Sequence, residues 1–327
     1  MNRRLFMQLG FSTAVGLAQA KPFNKNLHWQ SRTLNALGTT MVFRLAHADR
    51  AAAEQALDAA VTGIRHIEDQ MSLFRPDSAI SQLNRSGRLE RPHPDLLEIL
   101  RIAQQVSRRS QGAFDVSVQP LWNTYATAQQ QGRLPTAPEI AAARRLVNWQ
   151  HVHMSEQALQ FGRSGMGITL NGIAQGYAAD KVKATLQRAG IAHALIDAGE
   201  YASLGQPEHA GDWLLALADP RQPQRLITRI ALQGRCLATS ADDQCSFSPD
   251  LVHHHIVNPH TGHSPPDLAA VSVLAPSAVL ADALTKVFFM AGYESALPLA
   301  RSWGVDVLAV HKQGHWQASP GLVLHGV

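Results

Sequence analysis

HHHIVNPHTGHSPPDLAAVSVLAPSAVLADALTKVFFMAG, residues 253–292, is the stretch that decides the fold. A polar turn, His255 to Gly262, leads towards the apolar run Ala270 to Ala275, which reads as a buried strand. After Pro276-Ser277 an apolar helix follows, and its first half carries a single carboxylate, Asp282. A segment this hydrophobic is core, and the polar groups left in it need a reason, because an unpaired buried charge is costly. Asp282, Thr285, Lys286 and Phe289 fall at i, i+3, i+4 and i+7 and so share one helix face. Asp282 and Lys286 read either as an ordinary helical ion pair or as a carboxylate site for a cation or a phosphate-bound metal. With His255 and Asn258 from the turn, Asp282, Thr285 and Lys286 are the first candidates for a functional site.

Outward from that segment the chain looks like a globular α+β protein. It has 327 residues, 45% hydrophobic and 17% charged, enough for one large domain or two. Its 29 Lys and Arg against 25 Asp and Glu are scattered, with no basic run that suggests a nucleic-acid groove. At the N-terminus, Asn2-Arg3-Arg4 precedes a mostly apolar stretch to Ala18, and Ala18-Gln19-Ala20 has the small-x-small form of a cleavage site. Residues 1–20 therefore read as an export signal, twin-arginine-like or general secretory, ahead of one domain over 21–327. The stretch is short and interrupted for a membrane span. No cysteine lies near the cleavage site, so a lipid anchor is not indicated. Cys236 and Cys245 could pair in an oxidising compartment or stay as two free thiols.

Strands are predicted at Thr39 to Leu45, Phe114 to Leu121, within His151 to Gly172, and at Ala192 to Asp197, Trp213 to Ala218 and Leu226 to Leu232. Helices are predicted at Ala51 to Met71, where Ala53, Leu57, Ala60, Ile64 and Ile67 form a stripe, and after Ser78, a fitting N-cap. Further helices are predicted at His93 to Ser110, Pro138 to Leu146 and Ile173 to Ala189. Strand runs broken by single helices favour an α+β sheet fold over a regular βαβ array.

Several segments carry chemistry only weakly when taken alone. In Thr169 to Val182 (TLNGIAQGYAADKV), a strand is expected to lead into Gly172 and Gly176 at a helix start, a place that suits an anion or close helix–sheet packing. The spacing is neither a dinucleotide fingerprint nor a P-loop. Met71 and Phe74, beside Ser72 and Ser78, suit the wall of a flat aromatic ligand or simply a helix end. Asp115 is an acid inside a strand-like run, and Thr239-Ser240 offers loop hydroxyls. No GxSxG elbow occurs. His253-His254-His255 alternate in direction on an extended segment, which works against a zinc site and leaves His255 as a candidate general base.

Taken in order, these blocks resemble the ApbE family of FAD:protein FMN transferases. They are Gly38-Thr39-Thr40, MSLFRPDSAISQLN, GAFDVSVQPLW, NGIAQGYAADKV, IDAGE, LATS, HIVNPHTG and ADALTKVFFMAG, together spanning about Gly38 to Gly292. The resemblance implies a single α+β domain of mixed or antiparallel sheets with packed helices, in an exported, periplasmic protein at or near the inner membrane. It implies FAD as substrate, Mg²⁺ as cofactor, and a target protein bearing a Ser/Thr flavinylation motif, such as a membrane or periplasmic redox protein. FMN would join that hydroxyl through a phosphoester as AMP leaves. Related alternatives are an FAD-binding or storage protein and a metal-dependent FAD pyrophosphatase. Carried onto this chain, the flavin-binding set is Met71, Ser72, Phe74, Ser78, Asp115, Gly172, Ala174, Gln175, Asp180, Thr239 and Ser240. The metal set is the Ala174 carbonyl, Asp282 and Thr285, and the base is His255.

The chain also departs from the family pattern. Gln175 stands where the family has Lys, Phe74 where it has Tyr, and Ala198-Gly199-Glu200 replaces Gly-Gly-Glu. Thr239-Ser240-Ala241 replaces Thr-Ser-Gly. The family's metal-binding Thr, four residues after the Asp, is Lys286 here, which weakens the expectation of magnesium.

Overall fold

The computed structural model describes residues 26–209 and 211–326. In chain order it contains β1 (His28–Ala36), β2 (Thr39–His47), α1 (Arg50–Met71), α2 (Ala79–Ser86), β3 (Arg88–Glu90) and α3 (Pro94–Arg109). Next come α4 (Gln119–Gln130), α5 (Ala137–Arg144), β4 (Val152–Met154), β5 (Ala158–Phe161), α6 (Ala174–Arg188), β6 (His193–Asp197) and β7 (Tyr201–Leu204). The remainder is β8 (Leu214–Ala218), β9 (Leu226–Ala231), β10 (Cys236–Ala241), β11 (Leu268–Ala275), α7 (Ala278–Ala291), α8 (Ala296–Trp303), β12 (Asp306–His311), β13 (Trp316–Ala318) and β14 (Leu324–His325).

The main sheet has strand order β1-β2-β6-β7-β10-β11-β12-β13, with every neighbouring pair antiparallel. Two three-stranded sheets, β14-β9-β8 and β3-β5-β4, accompany it. This is the α+β arrangement expected from the sequence.

The quoted segment lies at the centre. All eight residues of β11 are buried, because the strand is covered on both faces. Val271, Val273 and Ala275 point into the core shared with the helices. Ala270 and Leu274 point the other way, into a core closed by Leu215, Ile230 and Leu232 of the β8–β9 region. Two covered faces make a strand read as a continuous apolar run, without alternation. The same pleat directs Ser240 of β10 towards α7, where it meets Thr285, and Thr239 to the opposite face, where it meets Ser272.

Several elements differ from expectation: Thr239 and Ser240, expected in a loop, lie in strand β10, β7, β12 and α8 were not anticipated, and three further differences have local causes. Phe114 to Leu121 is not a strand: Val116–Val118 is a 3-10 turn and α4 begins at Gln119. The Asp115 carboxylate accepts the Ser117 N–H at 2.7 Å, fixing a turn, and Pro120 then sits in the first turn of α4, where its missing N–H costs nothing. The chain entering Gly172 is not a strand either. Asn84 replaces a ladder there: its amide donates to the Ile168 carbonyl and its oxygen accepts the Ile168 N–H, both at 2.8 Å. Strand β1 was not anticipated; it pairs with β2 through a turn in which Leu37 and Gly38 both have positive φ.

Cys236 and Cys245 are free thiols, Cys236 buried in β10 and Cys245 exposed. Among the described residues no helix is long and apolar enough to cross a membrane. The export signal over 1–20 lies outside the described residues.

Candidate active site

The site grows from the junction of α6 and α7. Asp282 of α7 accepts the N–H of Gly176, in the first turn of α6, at 3.0 Å. Asp180 of α6 accepts the N–H groups of Ala278 and Val279, which open α7, both at 2.9 Å. Each helix thus supplies the acid that caps the other, so that carboxylate charge meets the partial positive charge of a helix N-terminus. Gly176 permits the approach: a Cβ there would lie 2.2 Å from the Ala278 carbonyl oxygen. The anion at the α6 start is therefore a side chain of the protein itself.

Lys286, one turn beyond Asp282, reaches back. Its ammonium lies 2.5 Å from Asp282 Oδ1 and 3.2 Å from the Asp282 carbonyl oxygen. Asp282 is 1% exposed, and its other carboxylate oxygen holds the Gly176 N–H. Thr285 is fully buried; its hydroxyl donates to the Asp282 carbonyl at 2.7 Å and also pairs with Ser240 at 2.8 Å.

Lys286 lines a cavity of about 1250 Å³. Gly172, Gln175, Glu200, Thr239, Ser240, Asp115, Phe74 and His255 border the same cavity. Two glycines make room for its walls. A Cβ on Gly38, which has φ +74°, would lie 2.7 Å from the Phe74 ring. A Cβ on Gly199, with φ +93°, would lie 2.6 Å from the Gln175 amide carbon. Phe74 is 69% exposed, so its ring is available to stack on a flat ligand. Phe114, Trp122, Val257 and Met290 add apolar wall.

Asp115 is already committed. Its carboxylate accepts the Ser117 N–H and hydroxyl at 2.7 and 2.6 Å and the Trp149 N–H at 3.0 Å. Burial pushes its carboxyl above the ordinary carboxylate range, and these hydrogen bonds partly offset that. Glu200, 3% exposed, accepts the Thr239 N–H at 3.0 Å and so ties β7 to β10 under the cavity.

His255 borders the cavity. Its Nδ1 lies 3.0 Å from the Cys245 carbonyl oxygen. Opposite a carbonyl, Nδ1 has only the donor role, so the neutral ring carries its lone pair on Nε2, the tautomer a base requires. Neighbouring His254 is fully buried beside Phe289, so the histidine run does not converge on one point. Asn258 shapes the turn, its side-chain oxygen accepting the His260 N–H at 2.8 Å.

Of the expected flavin-binding residues, Phe74, Asp115, Gly172, Gln175, Thr239 and Ser240 border the cavity. The others lie behind it. Met71 is core; Ser78 caps α2 and donates to the Ser72 carbonyl; Ala174 is buried in the first turn of α6; Asp180 caps α7. Sequence reasoning missed Arg85, Arg88 and Arg163, which also border the cavity; Arg88 is already paired with Glu90 at 2.6 Å, while Arg85 and Arg163 offer positive charge for an anionic ligand. No motif surrounds them, and the tertiary fold brings Arg163 to the same cavity as the sequence neighbours Arg85 and Arg88.

The residues expected to hold Mg²⁺ do not fit a divalent ion. Magnesium needs near-octahedral oxygen ligands at about 2.1 Å. Here both Asp282 oxygens and the Thr285 hydroxyl already have partners, and neither residue borders the cavity. An ion at Asp282 would also face the ammonium of Lys286. At about 4 Å and an effective dielectric near 20, even two unit charges repel by about 4 kcal/mol.

Residues 37–309 match the ApbE family. The FAD:protein FMN transferase of Salmonella typhimurium is 27% identical over 257 residues, 75% of this chain and 73% of that protein. The FAD:protein FMN transferase of Vibrio cholerae is 28% identical over 257 residues, 76% of this chain and 77% of its own length. The structure of the Pseudomonas stutzeri flavinyl transferase ApbE, apo form, superposes with a TM-score of 0.79 at 27% identity, covering 90% of this chain and 95% of that one. With the family match running from the β1–β2 turn into β12 and the same fold beneath it, this chain belongs to the ApbE family.

Proposed function

We propose that this protein is an FAD:protein FMN transferase: it binds FAD in the cavity beside α7 and moves the FMN half onto a Ser or Thr hydroxyl of a target protein. The observation that carries the reading is His255, held on the wall of the same cavity as Phe74, Gln175 and Lys286 in the tautomer a base requires. Phe74 and the apolar wall suit the isoalloxazine ring, and Lys286 with Arg85 and Arg163 suits the diphosphate.

The chemistry is a displacement at phosphorus. The acceptor oxygen bonds to the flavin-side phosphorus as the P–O bond to the adenylate half breaks, and the bridging oxygen leaves on AMP. The hydroxyl proton passes to Nε2 of His255, and no electrons change hands. Since the expected magnesium ligands do not fit that ion, no step is assigned to a metal. The Arg3-Arg4 segment and Ala18-Gln19-Ala20 support an exported, periplasmic protein acting on a membrane or periplasmic redox protein.

The test is to incubate the purified protein with FAD and a peptide bearing a Ser/Thr acceptor motif. Flavin joined covalently to the peptide, with an equal amount of AMP, is the expected result. Free FMN with AMP would mean hydrolysis instead, and intact bound FAD would mean storage. Fractionating cells that express the full chain tests the location; protein retained in the cytoplasm would overturn export.

A further inference from the structure

Lys286 stands where the family pattern has a metal-binding Thr, and four observations bear on it. It borders the cavity, whereas Asp282 beneath it is 1% exposed and does not. Two contacts to Asp282, through Oδ1 and the carbonyl oxygen, hold its ammonium in place. An ammonium has three N–H donors, so two contacts leave one for a ligand. Gly172 leaves room for its stem: a Cβ there would stand 3.0 Å from the Lys286 Cε. Finally, Asp282 sits at the N-terminus of α6 and holds the Gly176 N–H. The carboxylate, the helix end and the ammonium thus form one anchored unit, with positive charge facing the cavity.

We propose that Lys286 is the built-in cation of this site: its ammonium, anchored by Asp282, contacts the diphosphate of FAD in place of a divalent metal, so that FMN transfer proceeds without one. The inference rests on the FMN-transfer reading above and adds to it the source of the positive charge. When the P–O bond breaks, negative charge develops on the departing AMP. A fixed ammonium stabilises that charge electrostatically, and it needs neither loading with an ion nor release of one. Lysine suits the role as a compact point charge on a flexible stem. Asp282 then acts as a positioning residue for the lysine.

The full-length protein, stripped of metal with EDTA, is tested in three ways. FAD binding is followed by flavin fluorescence, transfer to the acceptor peptide by mass spectrometry, and cation binding by electron paramagnetic resonance with Mn²⁺ as the probe. The wild-type protein should transfer FMN at a rate within twofold of its rate in millimolar Mg²⁺, and it should not bind Mn²⁺ stoichiometrically. Lys286→Met, which keeps the volume and removes the charge, should lower kcat about 100-fold. Lys286→Thr should bind one Mn²⁺ and run at least tenfold faster with Mg²⁺ than with EDTA. If the wild type binds FAD but loses tenfold or more of its activity in EDTA and regains it with Mg²⁺, the lysine inference is overturned and the transferase reading stands. A full-rate Lys286→Met protein would overturn it equally. If the wild type binds no FAD at all, the functional reading fails and the inference fails with it.

Discussion

Asp180 and Asp282 cap each other's helices: the first, on α6, accepts the opening N–H groups of α7, and the second, on α7, accepts an N–H in the first turn of α6. The pair fixes the two helices end against end at the edge of the cavity. It also explains why two acids lie beneath a site for an anionic ligand. Their charge is directed into the helix termini, and the charged group of this junction that borders the cavity is Lys286.

The closeness of that junction gives the first prediction. Gly176→Ala should destabilise the protein even though alanine is favoured over glycine in a helix by about 1 kcal/mol. The added carbon would meet the Ala278 carbonyl oxygen at 2.2 Å and the Asp282 Cβ at 2.8 Å, and the first of these is backbone that cannot swing aside. Forcing the helices apart should cost about 1–3 kcal/mol net, read as a lower urea midpoint. An unchanged or raised midpoint would show that the junction is looser than this.

The two acids also mark how far the sequence can be read. The β11–α7 unit was legible because strand and helix are apolar around most of their surface and end at Pro276 and Gly292. The face shared by Asp282, Thr285 and Lys286 followed from helical period alone. Which member of that face meets the cavity did not follow, since it depends on where β10 and Gly172 lie. Asp180 was assigned to the flavin because no sequence signal tells a helix-capping acid 98 positions from its target apart from a ligand-binding one. Phe114 to Leu121 misled for a local reason: its alternation spans few residues, and the Asp115 turn with Pro120 outweighs it.

His254 should make stability depend on pH. Burial pushes its ring down to about 4, although the Pro265 carbonyl at 3.3 Å favours the charged form. In the unfolded chain the ring titrates near 6.5. The folded protein therefore binds fewer protons, so this contribution is fully present above about pH 6.5 and is lost as pH falls towards about 4. At about pH 5 the loss should be about 2 kcal/mol. His254→Gln should flatten this dependence in urea titrations at about pH 7.5 and about pH 5. If the variant loses as much stability as the wild type, the dependence arises elsewhere.

The thiols give a third prediction, because an exported protein would meet oxidants. Under native, non-reducing conditions Ellman's reagent should label Cys245 alone, with Cys236 reacting only after denaturation. Cys236 is buried in β10, and burial together with the nearby Asp180 pushes its thiol up to about 12, so it holds almost no reactive thiolate at neutral pH. A count of zero thiols after denaturation would mean that the two are bonded.

Phe74 and Gly38 should act together on the flavin. Phe74→Ala removes the exposed ring and should weaken FAD binding up to about tenfold, the scale of an aromatic pair worth about 0.5–1.5 kcal/mol. Gly38→Ala should weaken it as well, because its Cβ would strike that ring at 2.7 Å and its φ of +74° disfavours any side chain. Because both act through one ring, the double variant should bind FAD no worse than Phe74→Ala alone. Additive losses by fluorescence titration would show that the glycine acts elsewhere.

His255 separates binding from chemistry. Its Nδ1 contacts the carbonyl of Cys245, an exposed residue whose oxygen water can serve when the ring is removed. His255→Ala should therefore fold normally and bind FAD within about threefold of the wild type, while kcat for peptide flavinylation falls about 10²–10⁴-fold, the usual scale of a lost general base. Imidazole added to the variant should restore part of the rate, since a small base can enter a cavity of this size. If instead FAD affinity collapses while kcat at saturation is kept, His255 holds the flavin and the proton must leave by another route. Ser240 and Thr239, which also border the cavity, are already hydrogen-bonded to Thr285 and Ser272 and so are poorly placed to take it.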